Sequence, residues 1–144
     1  MSQVIAYQTS EGVSIVVPTG EVSLDVVLSK DVPAGVNYKI IDHSELPSDR
    51  AFRSAWFFND GVQIHMETAK EVHKQNIRIA RSPLFEDLDI QFQRALETNS
   101  DTSAIVAQKV ALRDATIDPA IAAATTPEEL KASWNEALLG PSPY

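Results

Sequence analysis

Three histidines, His43, His65 and His73, are the side chains of this 144-residue chain best suited to metal ligation or proton transfer near neutral pH. None stands at a ligand spacing from another histidine or an acid. His65 and His73 are eight positions apart, more than two helical turns, too far to share one ion from one straight helix. His43 falls in a charged turn, and an ordinary surface or boundary imidazole accounts for all three. Carboxylates cluster at Glu86-Asp87-Asp89 and at Glu128-Glu129. A glycosidase-type pair needs a cleft with aromatic platforms, and the only tryptophans are Trp56 and Trp134, neither near the first cluster. Placement of negative charge at helix N-termini explains both clusters without chemistry. No serine lies in Gly-x-Ser-x-Gly, and five scattered glycines form no phosphate loop. With no cysteine, thiolate zinc sites, thiol nucleophiles and disulfides are excluded. The expectation is no catalytic residue, no cofactor-binding residue and no metal ligand.

Binding is the other chemistry the side chains offer. Lys70, Lys74, Arg78 and Arg81 recur at helical spacing along one side, which suits nucleic acid or an acidic partner, although Glu67 and Glu71 in the same turns suit a plain solvated face. Asp49, Arg50 and Arg53 read as an ion-paired turn ahead of Trp56. Aromatic and arginine side chains concentrate interface energy, whereas rim lysines mainly affect encounter rate. The candidate partner-binding residues are therefore Tyr7, Phe57 and Phe58 on one side, and Arg78 and Arg81 on the other. The net charge of −8 disfavours nucleic acid and anionic membranes as partners. No apolar run reaches 18 residues and the start lacks the basic and apolar regions of a secretory signal, so the expectation is a soluble protein kept in the cytosol or released only when a cell lyses.

The elements that position these residues fall into two patterns, with 44% hydrophobic residues overall to build a core. Residues 1–65 read as an antiparallel β module. Val4–Thr9 and Val13–Val17 form a hairpin about Ser10-Glu11-Gly12, expected to expose one face. Ser23 caps a short helix over Leu24–Ser29, with a strand over Val22–Leu28 as the competing assignment. Tyr38–Ile41, Ala55–Phe58 and Val62–Ile64 follow as strands, the last two joined by Asn59-Asp60-Gly61, with Trp56 and Phe58 filling the core. From Met66 the period changes to 3.6. Ala69, Val72, His73, Asn76 and Ala80 share one helical face, and Leu84, Leu88, Phe92, Ala95 and Leu96 continue it to Glu97. Pro83 either kinks this helix or opens a second one capped by Ser82. After the turn at Thr98–Asp101, Ile105, Gln108, Leu112 and Ala115 mark a helix expected to return antiparallel as an αα-hairpin. Thr126, Pro127 and Glu129 form a capping box for a terminal helix ending before Gly140-Pro141. The fold class is α+β, with a 66–144 helical hairpin and terminal helix following the β module.

The stretch Val32-Pro33-Ala34-Gly35-Val36-Asn37-Tyr38-Lys39-Ile40, continued by Pro47-Ser48-Asp49-Arg50-Ala51-Phe52-Arg53-Ser54-Ala55-Trp56, resembles a segment of small proteins of tailed bacteriophages encoded among structural and tail genes. Ile77–Arg81, Arg94-Ala95-Leu96, Lys109–Thr116 and Thr126-Pro127-Glu128-Glu129-Leu130 extend the resemblance from about Val13 to Trp134. Phe57-Phe58 departs from it, standing where a more polar continuation belongs. The resemblance carries no active site. It implies a non-catalytic accessory protein of the virion, present in the host cytoplasm during assembly. Its partners would be other phage structural proteins of the tail, fibre or connector, with multiple copies per virion. A tail-fibre assembly chaperone and a capsid decoration protein are the related alternatives, and an enzyme is the alternative of a different class.

Overall fold

The computed structural model describes residues 2–144, which form two compact units divided between Ala69 and Lys70. The first contains β1 (Gln3–Thr9), β2 (Gly12–Val16), α1 (Leu24–Asp31), β3 (Tyr38–Asp42), β4 (Trp56–Phe58) and β5 (Val62–Ile64). β1 is the centre of an antiparallel sheet ordered β2-β1-β3, and β4 pairs with β5 as a separate hairpin. The register is set by side-chain alternation along β1. Val4 and Ala6 pack on one face with Ile41 and Leu46, backed by Val13, Ile15, Phe58 and Val62. Ile5 packs on the other with Val27 and Val32, backed by Leu24, Leu28, Val36 and Ile40. Three consecutive residues, Val4, Ile5 and Ala6, are thereby fully buried.

Here the expectation of one exposed face is overturned. The helix at Ser23 forms, and it covers the face that a bare hairpin would leave to solvent, while the β4–β5 hairpin covers the opposite one. Ser23 stands at the N-cap position but makes no side-chain capping bond. Lys39 on β3 ties the β4–β5 turn to the sheet through the Asp60 carbonyl oxygen at 3.1 Å and its carboxylate at 3.4 Å. Gly12, at φ +135°, begins β2 where a Cβ would sit 2.9 Å from the Trp56 carbonyl oxygen, so only glycine fits between the two strands.

Chain connectivity into the second unit runs through α2 (Met66–Glu97), one continuous 32-residue helix. His65 precedes it, accepting the Ala69 N–H at its carbonyl oxygen and the Thr68 N–H at Nδ1 (3.3 Å). Pro83 does not open a second helix; it sits inside α2 on an exposed position. The helix ends in a Schellman arrangement: Asn99 at φ +54°, Ser100 N–H to Ala95 O (2.7 Å) and Asn99 N–H to Leu96 O (3.2 Å). α3 (Ser103–Asp114) then returns antiparallel, because Arg81 reaches Leu112 O and Arg113 O while Asp89 pairs with Lys109.

The tail is shorter in its elements than the capping box suggests. α4 (Pro119–Ala123) starts at Asp118, whose carboxylate accepts the Ala120 N–H. α5 (Pro127–Ala132) starts at Thr126, whose Oγ1 accepts the Glu129 N–H at 3.2 Å. The Glu129 carboxylate returns to Thr125 N–H, one residue before the cap. The helix stops at Ser133, and Asn135 caps a separate α6 (Glu136–Leu139) before Gly140.

Candidate functional site

The candidate binding residues land in different environments. Tyr7 lies on the α1 side of the sheet, half-buried against the Ile5 cluster, and lines a shallow groove of about 480 Å³ with Pro33, Val36 and Asn37. Phe58 turns into the core of the first unit beside Val62. Phe57, next to it on the opposite face of β4, is half-buried and meets the His65 ring edge-on at 5.9 Å. Adjacent strand residues point to opposite faces, so the two phenylalanines do not form one patch. Trp56 is 3% exposed, and the Arg53 guanidinium stacks over its ring at 5.0 Å. Its indole N–H finds no acceptor among the described residues.

On α2 most of the basic row is engaged by the fold. Lys70 donates to Ala122 O at 2.9 Å, and Lys74 pairs with Glu71 one turn away at 3.5 Å. Arg81 donates to Leu112 O and Arg113 O at 3.0 and 3.2 Å, satisfying carbonyls near the C-terminus of α3, where the helix dipole favours a cation. Its guanidinium also lies over the Phe85 ring, 5.9 Å from the centroid. Arg78 alone of the four remains exposed with only a long 3.4 Å contact to Gln75. Of the two candidate arginines, therefore, one closes the helical hairpin and one faces solvent.

The second unit also builds a polar centre that the spacing of residues did not reveal. His73 is fully buried and stacks on Tyr144 at 5.7 Å with 13° between the rings, while Trp134 meets both edge-on. Ser133 Oγ lies 2.5 Å from Leu130 O and 3.1 Å from His73 Nε2. A hydroxyl has one proton and a carbonyl can only accept, so that proton goes to Leu130 and His73 Nε2 carries the N–H. In the neutral ring Nδ1 is then the acceptor and receives the Tyr144 O–H at 2.6 Å; Asn76 Nδ2 donates to the same phenol oxygen at 3.2 Å. Burial holds the His73 pKa below its usual value and raises that of Tyr144, against which the Asn76 bond works. The chain of donors runs Asn76 to Tyr144 to His73 to Ser133 to Leu130.

A serine within hydrogen-bond reach of a histidine is the raw material of an activated nucleophile, but activation needs the imidazole to accept the serine proton. Here the imidazole donates to it. The geometry makes this cluster a latch, holding residues 133–144 against α2. His73 was legible as a member of an apolar helical face; its partners 60 and 71 residues away were not. Among the described residues no three histidine, aspartate or glutamate side chains converge as a metal site, and no helix is long and apolar enough to cross a membrane. The chain matches no protein-family model, no curated protein and no solved structure.

Proposed function

We propose that this protein acts by contact rather than by chemistry, as a virion-associated accessory protein of a tailed bacteriophage that joins tail, fibre or connector components. The observation that carries the reading is the division at Ala69 and Lys70 into two compact units of different construction. The first is a covered sheet, with Val17, Val22 and Tyr38 more than half exposed; the second is helical, with Ile79, Leu96 and Ile117 exposed to a similar or greater degree. Two differently built surfaces on one chain suit a bridge between unlike partners. The sequence resemblance supplies the setting of a phage particle.

Quantitative mass spectrometry of purified particles tests this. A fixed copy number per particle is expected. Absence from particles, with the protein accumulating in infected cells, overturns it and assigns the chain to assembly, as a chaperone that departs before completion.

A further inference from the structure

We infer that the free edge of β3 is a docking site for an extended, basic peptide segment of another protein, which adds to the sheet as a fourth strand. The inference deepens the contact role proposed above, and rests on it.

The register decides which backbone groups face outward. Gln8 N–H bonds Asn37 O and His43 N–H bonds Ser2 O, at 2.9 and 2.8 Å. Since β1 and β3 pair Ala6 with Lys39 and Val4 with Ile41, the odd-numbered residues of β3 point their N–H and C=O groups at β1. The even-numbered ones, Tyr38, Ile40 and Asp42, point them away. Asp42 N–H is taken by the Glu45 carboxylate at 3.1 Å, closing that end of the edge. The outward N–H and C=O groups of Tyr38 and Ile40 have no partner among the described residues. They leave two donors and two acceptors two residues apart, the pattern an added strand completes. Such an edge is commonly guarded by a lysine. Lys39 is that residue, and its ammonium is tied to Asp60 in the β4–β5 turn, on the sheet face opposite Tyr38.

The occupant's chemistry follows from what flanks the edge. Tyr38, 51% exposed, opens onto a groove of about 360 Å³ between β3 and α1, walled by Leu28, Val32, Pro33 and Val36. Alternate side chains of an added strand fall over this groove, so they are apolar. Asp25 is the charged residue of its wall, and residues 1–69 carry nine acidic against four basic side chains. A segment with lysine or arginine flanking its apolar positions is complementary; a second copy of this acidic unit is not. Length argues the same way. A five-residue edge, ~17 Å long, is far too small on its own for the ~1,200 Å² at the low end of stable protein pairs, whereas it suits a short peptide.

The experiment selects ten-residue binders to the full-length protein from a random peptide display library, then measures synthetic binders by calorimetry. Expected are sequences with alternate Val, Ile or Leu flanked by Lys or Arg. N-methylation of alternate amides in one parity should weaken binding about tenfold or more, and in the other parity should not, because only one set faces β3. Tyr38→Pro removes an outward N–H that the fold does not use and should weaken binding at least comparably, with an unchanged circular dichroism spectrum. Should that variant fail to fold, the methylation parity decides alone. Failure to select a binder, acidic binders, indifference to methylation parity, or full binding by folded Tyr38→Pro overturns the inference. So does self-association of the wild-type chain that Tyr38→Pro abolishes, which would make the occupant a second copy. Particle composition is read separately, so a protein found in particles but lacking this peptide site refutes the edge and not the accessory role.

Discussion

Ser133 Oγ accepts the N–H of His73 Nε2 at 3.1 Å and donates its own O–H to Leu130 O at 2.5 Å. The direction of that bond makes the serine an acceptor for a buried donor. Ser133→Ala should accordingly cost about 1–3 kcal/mol, the range for leaving a buried polar group unsatisfied. Urea unfolding followed by Trp134 fluorescence in a Trp56→Phe background reads this loss. In the wild-type protein, which keeps this serine, a fluorophosphonate probe should leave Ser133 unlabelled by mass spectrometry. Labelling would show that the hydroxyl is both reachable and activated.

Acid should loosen the second unit in a defined window. Burial keeps His73 neutral when folded, with its pKa below the unfolded value of 6.5. The unfolded state therefore binds more protons as pH falls. Stability is complete above about pH 6.5 and declines below it, by at most about 1.4 kcal/mol per pH unit, until the folded-state pKa is passed. Asp42 and Asp101, held low chiefly by side-chain hydrogen bonds from Ser44 and Ser103, act in a separate window below their ordinary value of 3.8. In the Trp56→Phe background, unfolding monitored at Trp134 should show the first slope and lose it when His73→Gln is added. An equal slope in that variant would remove His73 as its source.

Pro83 lies at an exposed position inside α2, where it withholds the N–H that Ile79 O would accept in a regular helix. Proline is about 3 kcal/mol less favourable than alanine in a helix interior. Pro83→Ala should stabilise the second unit by up to that amount, measured by urea unfolding. A loss of stability would mean that packing against α3 requires the proline's local geometry.

Arg81 and Arg78 should separate cleanly. Arg81→Ala removes charge-assisted bonds to two carbonyls of α3 and should cost about 1.5–3 kcal/mol. Arg78→Ala should stay within about 0.5 kcal/mol of wild type. The two melting temperatures settle it, and a neutral Arg81→Ala would show that the hairpin closes without that bond. Only Arg78 is therefore a clean probe of the α2 surface in binding experiments.

What the sequence discloses of this fold is what local periodicity and punctuation control. The period change at Met66, the turn at Asn59-Asp60-Gly61 and the Thr126 cap each depend on residues within one or two turns of each other. The covering of both faces of β1 was hidden because alternation at Val4, Ile5 and Ala6 cannot say that α1 and the β4–β5 hairpin lie on opposite sides. The Thr126 cap predicts one helix reaching Gly140, whereas Ser133, bonded to His73 60 residues away, and Asn135, which caps α6, divide it. Residue type marks Phe58 and Arg81 as binding candidates, while their engagement with the β1 core and the α3 carbonyls is tertiary. The β3 edge is not legible in the sequence because outward backbone groups are fixed by register, which no single strand's sequence displays.

Cross-linking of intact purified particles with a lysine-specific reagent, read by mass spectrometry, tests the central claim most directly. Lys30 and Lys39 report on the first unit, and Lys70, Lys74, Lys109 and Lys131 on the second. A bridging accessory protein gives links from the first set to one particle protein and from the second set to a different one. Links from both sets to the same protein, or to other copies of this chain alone, would contradict it.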